Sequence, residues 1–410
     1  MIDLLVVGAG PAGLSAAIAA AEQGLKVKVL DEFPKVGGRL LGQLHQEPSG
    51  EWWNGIEMGE KLHQKARLEG VNIQCEVSVS DISRTDFGWS VYTSVGMIKA
   101  KNLLLATGAS ETAIPLPGWT LPGAISIGAA QVMGNVHRVK PGNSCVIIGA
   151  NVLSIAIANE LMLCGVKVKE IIIPETGPVA KDAGVPEKVM ASLMRLTHLA
   201  PNAFLRQAGK FGKFVSPKVA AQFFPKNGIR VLGIPIRVKK AAIEIIGEGQ
   251  ATGVRTVAVT PDGKRIQGTE QVTEADFVCI AGGLAPMSEL ASIAGCSFKY
   301  VEELGGHIPL HSERMETAVP GLYVAGNITG VESAKVAMAQ GKVAGLTVAF
   351  NTNGASKKTE MLVKCALDDV RKTRANALIE FQPGIVEARE RIYVQFEQER
   401  IAVKQAITVS

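Results

Sequence analysis

The chain has 410 residues, 47% of them hydrophobic and 20% charged, with a formal net charge of +5. That length suits two or three domains, and the balance of apolar to charged residues excludes a disordered chain. A charge this small for the length gives no reason to expect nucleic acid as a partner.

The first element in the chain carries the most chemistry. Residues 4–32 read LLVVGAGPAGLSAAIAAAEQGLKVKVLDE: an apolar strand, a glycine turn, a small-residue helix, a second strand and two acids. Gly8, Gly10 and Gly13 complete a G-x-G-x-x-G around Pro11 and Ala12, and Asp31 and Glu32 follow at the distance a βαβ unit requires. Gly8 permits the tight turn, Gly10 leaves bare backbone for a pyrophosphate, and Gly13 lets the helix approach the strand. An acid ending the second strand can accept both hydroxyls of an adenosine ribose. Residues 4–21 are 18 positions without a charge. They lack a basic leader, and the glycines fall where a nucleotide turn needs them. The run therefore reads as neither a signal peptide nor a membrane span, and the protein as soluble and cytoplasmic.

A glycine-bearing loop over 35–48 contains Gly37, Gly38, Arg39 and His45. A helix is expected over 59–69 and a strand over 71–77, then three short alternating strands around Ile82, at 89–93 and at 97–101. The run NLLLATGA at 102–109 is a buried strand ending in the small residues Ala106, Thr107 and Gly108. Prolines 115, 117, 122 and 141 mark 111–142, which includes His137, as an interdomain connection.

A second βαβ unit then starts at Ser144 and ends at Glu175, matching the first in order and length. Its turn reads G-x-N-x-x-S, from Gly149 through Asn151 and Val152 to Ser154, with non-glycine residues where glycines are expected. The Asn151 side chain is expected to enter the space meant for a pyrophosphate. Residues 187–225 read as helical and basic. Across 181–240 twelve Lys or Arg face only Asp182 and Glu187, a local balance of +10 that suits an acidic partner, a phosphate-bearing ligand or plain solvent. Strands are expected over 229–247 and 252–268, with a turn at 261–263. Residues 275–286 echo the NLLLATGA run. A strand, turn and small-residue helix follow over 321–349, and a mixed-charge helical tail over 356–410 is broken at Pro383-Gly384. The six cysteines lie no closer than 17 residues apart, so no metal-binding or redox spacing exists and no metal is expected.

Two dinucleotide units, two A-x-G-type strand ends and a late strand–turn–helix resemble the FAD/NAD(P) two-dinucleotide-domain oxidoreductases, the pyridine nucleotide–disulfide reductase superfamily in its broad sense. The resemblance covers about residues 1–350. It implies an α/β fold of two Rossmann-like three-layer domains, the second inserted in the first, plus a helical C-terminal tail. Residues 1–112 and 281–355 would form the FAD domain, 113–280 the second nucleotide domain and 356–410 the tail.

It also implies FAD on the Gly8 turn, with Asp31 or Glu32 as the ribose ligand and Gly37, Gly38 and Arg39 closing over the flavin. Ala106, Thr107 and Gly108 line the same site. Gly326 and Asn327 match the family's G-D, whose acid holds the ribityl chain. Residues 330–334 would open a helix toward the flavin's pyrimidine edge, its positive end favouring the anionic reduced flavin. Glu332, Ser333 and Ala334 would adjoin the ring, and Lys335 either adjoins it too or pairs with Glu332. Gly149, Asn151, Val152, Ser154 and Glu175 would form the second site, holding NAD(P)H or ATP. Asn327 in place of Asp weakens flavin binding without abolishing it. With no cysteine pair, the disulfide-reductase chemistry of the superfamily has no nucleophile.

Residues 114–133 and 326–345 are similar to one subgroup, the FAD-containing larger subunits of heteromeric amino-acid dehydrogenases and oxidases. In that group a second flavoprotein subunit oxidises the amine, which implies a hetero-oligomer here. Many of its members carry a C-terminal cysteine cluster for a [2Fe–2S] centre. This tail has only Cys365, so that centre should be missing. Catalytic residues cannot be named, although His45 and His137 are candidate proton carriers. Three functions stand open: an electron-transferring FAD subunit of an amine or amino-acid (proline- or opine-type) dehydrogenase, a stand-alone NAD(P)H:acceptor reductase, and an adenine-nucleotide-binding scaffold without turnover.

Overall fold

The computed structural model describes residues 1–47, 49–195, 216–225, 227–377 and 384–409. The middle of the basic segment, 196–215, and the expected helix break at Pro383 lie outside them. The chain divides into two compact units. Met1–Gln43, Asn54–Ser110 and Leu284–Ser410 form the first; Leu44–Trp53 and Glu111–Gly283 form the second. The second unit thus includes a short excursion at Leu44–Trp53 as well as one long insertion. The tail, set apart above as 356–410, groups with the first unit.

In the first unit one sheet runs in the order Asn72–Gln74, Val27–Leu30, Ile2–Val7, Gly96–Leu105, Gly88–Thr93, Val79–Thr85, and Leu322–Val324 also pairs with Gly96–Leu105. The strands at its centre are parallel, with Leu4 opposite Val27 on one side and Asn102 on the other. Their side chains alternate between two covered faces, which is why they read as unbroken apolar runs. Leu4, Val6 and Leu104 pack with the small residues of helix Pro11–Ala21, whereas Leu5, Leu103 and Leu105 pack with Ile82, Trp89 and Val91 of the antiparallel strands. The strand expected at 97–101 and the buried run after it are one element, Gly96–Leu105. Nothing between Lys101 and Asn102 forces a turn, and the Asn102 amide donates to the Asp3 carbonyl. The expected helix at 59–69 starts earlier, at Gly55, because the Asn54 side chain accepts the N–H groups of Ile56 and Glu57.

Helix Ala334–Asn353 returns to lie against helix Pro11–Ala21. A methyl group at Gly341 would overlap the Ala12 carbonyl oxygen, and one at Gly345 the Ala16 carbonyl oxygen. Two glycines one turn apart facing two alanines one turn apart let the backbones touch; this is the reason for the small-residue composition of both helices. The first tail helix is packed on this pair. Helix Lys357–Ala375 adds Val363, Ala366 and Val370 to the same cluster. Helix Ile385–Val409 buries Ile385, Ala388, Ile392 and Phe396, at helical spacing, against Val301, Leu304, Ile308 and Leu310.

The second unit has a sheet in the order Ala124–Ser126, Phe277–Ile280, Ser144–Ile148, Lys167–Pro174, Ile234–Ile246, Gly253–Ala258, Gln271–Glu274, and Ile229–Val231 pairs with Ile234–Ile246. The strand expected over 229–247 is therefore two strands. Leu232 and Gly233 both have positive φ, 53° and 81°, and make a tight hairpin turn inside an otherwise continuous apolar pattern. The strand expected over 252–268 ends at Ala258, and its next partner is Gln271–Glu274, beyond the Thr260–Lys264 turn. Of the stretch expected to be helical over 187–225, Pro186–Arg195 and Pro217–Phe223 are helices.

The glycine contact between the two helices sets a stability expectation. Gly341→Ala should lower the unfolding free energy by about 1–3 kcal/mol, because the helices must separate to admit the methyl group. A denaturant midpoint equal to that of the parent would contradict the close approach.

Candidate functional site

The Gly8 turn is shaped by what its residues touch. Gly8 has φ 107°, and a side chain there would run into the Ala106 carbonyl; one at Gly13 would run into the Gly8 carbonyl. At Gly10 an added methyl group would meet nothing within 4 Å, and no side chain caps the helix that starts at Pro11. The turn is thus open on one side, with uncapped N–H groups at a helix N-terminus, which is an anion-binding arrangement. Asp31 is buried and braces the turn: its carboxylate accepts the N–H groups of Ala9 at 2.6 Å and Phe33 at 2.8 Å. Burial raises its pKa against the pull of those two bonds. Glu32 beside it is exposed.

Other segments of the first unit converge on this turn. The Gly37 N–H donates to the Ala9 carbonyl at 2.8 Å, and a methyl group on Gly38 would lie 3.2 Å from the Gly10 Cα. Arg39 Nε donates to the Ala109 carbonyl at 2.9 Å. Ala106 continues the strand ladder through Val7, the Thr107 hydroxyl donates to the Met287 carbonyl, and Gly108 takes φ 78°. Gly326 sits over the first turn of helix Pro11–Ala21, where an added methyl group would lie 2.7 Å from the Ala12 Cβ. Its N–H donates to Gln340 Oε1 at 3.1 Å.

The late helix begins at Ala334, later than the 330–334 reading. Ser333 is its cap, accepting the Val336 N–H, and Gly326–Thr329 forms a separate short turn of helix. Asn327 is half-buried, and its Oδ1 accepts the Glu332 N–H at 3.2 Å. Glu332 is buried and is bound by two arginines of the tail, Arg374 and Arg389. Burial alone would raise its carboxyl, but the Arg389 and Arg374 charges outweigh that and hold it below the ordinary value. Both arginines were invisible to sequence reasoning. They lie on helices that read as a mixed-charge tail, and no spacing rule links them to a residue so distant in the chain.

The two histidines considered as proton carriers are both exposed residues of the second unit, whereas the Gly8 turn belongs to the first. His45 stacks on Trp53 at 6.1 Å within the Leu44–Trp53 excursion.

In the second unit the Gly149 turn repeats the backbone of the first: φ is 115°, and a side chain would run into the Ala281 carbonyl. The difference lies in the cap. The Asn151 side chain folds back onto the helix N-terminus. Its Oδ1 accepts the Ser154 N–H at 2.9 Å, its Nδ2 donates to the Ala281 carbonyl at 2.9 Å, and the Ser154 hydroxyl accepts the Asn151 N–H. This reciprocal box satisfies helix N–H groups that a bound phosphate would otherwise use. Val152 is half-buried at the first helical position, and the Glu175 carboxylate is bound by two N–H groups of Arg265. The redox-pair question also has a spatial answer. Cys145 and Cys279 are in contact on neighbouring strands, yet both are fully buried, and contact and burial push the Cys279 thiol well up.

Helix Val152–Leu163 also carries the buried Glu160. Its carboxylate accepts the side-chain amides of Asn135 at 2.7 Å and Gln131 at 2.8 Å and the Leu44 N–H at 3.3 Å, joining the Leu44–Trp53 excursion to its own unit. Burial pushes its pKa up to about 7 against those three donors.

Residues 2–341 match the family model described as pyridine nucleotide-disulphide oxidoreductase. The chain is similar to the A subunit of opine oxidase from Agrobacterium tumefaciens (strain Ach5), 28% identical over 379 residues that cover 87% of this chain and 67% of that protein. It is also similar to hydrogen cyanide synthase subunit HcnB of Pseudomonas protegens, 23% identical over 360 residues, 85% of this chain and 70% of that protein. The solved L-proline dehydrogenase from P. horikoshii shares its fold, with a TM-score of 0.62 and 17% identity, over 90% of this chain and 58% of that one. The chain therefore spans about two thirds of the length of these relatives. Among the described residues no helix is long and apolar enough to cross a membrane.

Glu160 makes stability depend on pH. Between the ordinary carboxyl value of 4.5 and about 7 the folded chain keeps a proton that the unfolded chain has lost, so stability falls as pH rises through that window. The full loss above it is on the order of 3 kcal/mol. Glu160→Gln should flatten this slope in denaturant unfolding followed across the window; an unchanged slope would show that Glu160 is ionised throughout.

Proposed function

The chain belongs to the pyridine nucleotide-disulphide oxidoreductase family, and we propose that it is the electron-transferring FAD subunit of a heteromeric amine or amino-acid dehydrogenase, of the proline or opine type. Members of the family bind FAD, with NAD(P) in the second domain. The observation that carries the reading is the uncapped, unobstructed side of the Gly8–Gly10 turn, on which the Gly38 and Gly326 segments converge. The relatives named as subunits of opine oxidase and hydrogen cyanide synthase supply the enzyme class.

The chain's own residues divide the work of holding FAD. Gly10, Ala12 and Gly13 would present N–H groups to the pyrophosphate without a side chain in the way, while Pro11, which has no N–H, starts the helix. Asp31, which keeps a lone pair on each oxygen, and the exposed Glu32 are the acids for the adenosine ribose. Gly37, Gly38 and Arg39 cover the nucleotide, with Ala106, Thr107 and Gly108 at the strand end. The Asn327 amide would donate to a ribityl hydroxyl, a neutral bond worth about 0.5–1.5 kcal/mol where a carboxylate would make one worth about 1.5–3. Ser333 and Ala334 would place the positive end of helix Ala334–Asn353 toward the flavin. When bound, FAD supplies the two-electron acceptor chemistry, so no protein nucleophile is required. Electron transfer in this reading uses no thiol pair, since Cys145 and Cys279 are sealed in the core.

A stand-alone NAD(P)H:acceptor reductase is the second reading, supported by the Gly149 turn and its repetition of the Gly8 geometry. The internal cap at Asn151 and Ser154 counts against tight pyrophosphate binding there, and ATP is the other candidate occupant. The partner of the first reading is a second, amine-oxidising flavoprotein subunit in the cytoplasm.

Purified chain should be yellow, and its denatured supernatant should contain FAD. Under anaerobic conditions an amino acid should bleach the flavin only when the amine-oxidising subunit is present. Rapid bleaching by NADH alone would select the second reading, and a chain that stays colourless after reconstitution with FAD would overturn both.

A further inference from the structure

The Glu332 carboxylate faces more positive charge than it can neutralise. Its side chain is 7% exposed. Arg374, on helix Lys357–Ala375, donates to it through Nε at 2.6 Å and Nη2 at 3.1 Å. Arg389, on helix Ile385–Val409, lies 2.5 Å from the second oxygen through Nη2 and is only 1% exposed. The Arg389 guanidinium also donates to the Thr329 hydroxyl and the Gly330 carbonyl, each at 3.3 Å. Its Nε has no hydrogen-bond partner among the described residues. A methyl group at Gly330, where φ is 126°, would lie 2.8 Å from Leu304 and 3.2 Å from Arg389 Nη2, so this turn is held tightly in place.

One arginine would be enough to pair Glu332. The second adds a buried cation, and it does so just before a helix N-terminus, where the macrodipole already disfavours positive charge. The field is felt nearby. His311, buried beside the cluster and edge-on to Tyr393, is pushed down to about 3, first by burial and then by the Arg389 and Arg374 charges. A surplus positive charge held at a positive helix end is stabilised by an anionic or electron-rich group placed against it. The Gly326–Thr329 turn, whose Thr329 meets Arg389 and whose Gly326 rests on Ala12, belongs to the candidate flavin site.

We propose that Arg374 and Arg389 are positioning residues for the flavin: they fix the Gly330–Glu332 turn and hold a surplus positive charge at the mouth of helix Ala334–Asn353 that favours the reduced over the oxidised cofactor. The proposal rests on the reading that FAD occupies the Gly8 site. It assigns the tail a place in setting the cofactor's redox poise, in addition to its packing role. A subunit that receives electrons from an amine-oxidising partner needs a flavin that accepts them readily, and this charge supplies that bias.

The test uses the full chain reconstituted with FAD and reads the flavin's midpoint potential together with its affinity for sulfite, which adds to oxidised flavin as an anion. R374Q should lower the potential and weaken sulfite binding roughly tenfold, whereas E332Q, which removes the only negative charge of the trio, should shift both the opposite way. R389K should keep more of the parent's potential than R389Q, because the charge survives while the planar fork is lost. If the arginine-389 variants do not fold, R374Q and E332Q still decide the matter. Parent values for potential and sulfite affinity in both of these would overturn the proposal. Failure of the parent chain to take up FAD would overturn the earlier reading instead.

Discussion

The close approach of helix Ala334–Asn353 to helix Pro11–Ala21 is the contact on which the first unit depends. Gly341 and Gly345 meet the carbonyls of Ala12 and Ala16 with no side chain between them. That contact fixes the Gly326 turn, which rests on Ala12, and so brings a segment from the last third of the chain to the glycine turn at its start. The insertion of the second unit is tolerable because of this pairing. A long excursion costs little extra loop-closure entropy as it lengthens, and the returning helix finds its place by shape. Everything proposed about a flavin follows from the two turns lying side by side.

Electrostatics then builds on that packing. Glu332 sits just before the returning helix, and a buried carboxylate is tolerated only when it is paired. The tail helices supply that pairing through Arg374 and Arg389, and they are themselves anchored by ordinary apolar burial at Val363, Ala366, Ile385, Ala388 and Ile392. Packing therefore places the charges, and the charges hold the Gly330–Glu332 turn. The excess of cation over anion in so enclosed a place is the feature that separates this cluster from a surface ion pair, which would contribute little.

The two glycine turns show how one backbone geometry can serve different chemistry. Gly8 and Gly149 adopt nearly the same φ, and each is pressed against the carbonyl just past the end of a strand, Ala106 or Ala281. Beyond that point they diverge. Gly10 leaves the helix N-terminus bare, whereas Asn151 and Ser154 close theirs with a reciprocal cap. The same substitution that weakens a phosphate site strengthens the helix it caps, by about 0.5–2 kcal/mol for such a residue. The Glu175–Arg265 pair adds to this self-sufficiency, since the acid ending the second strand already has a partner.

The sequence by itself determined the local elements: two strand–turn–helix units, the small-residue helices, the glycine turns and the apolar strands buried on both faces. These depend on spacing within a few residues, where backbone sterics and side-chain periodicity act directly. It misjudged elements whose limits depend on a partner, such as the Leu232–Gly233 hairpin hidden in an apolar run and the single strand Gly96–Leu105. Only the tertiary structure decided which way Asn151 points, because its amide bonds both to the nearby Ser154 N–H and to the Ala281 carbonyl, far away in the chain. The same holds for Glu332. Its sequence neighbours suggest an i,i+3 pair on a helix face, yet its charge is met by arginines from the far end of the chain. Long-range charge pairing leaves no periodicity to read, so it becomes visible only when packing has brought the helices together.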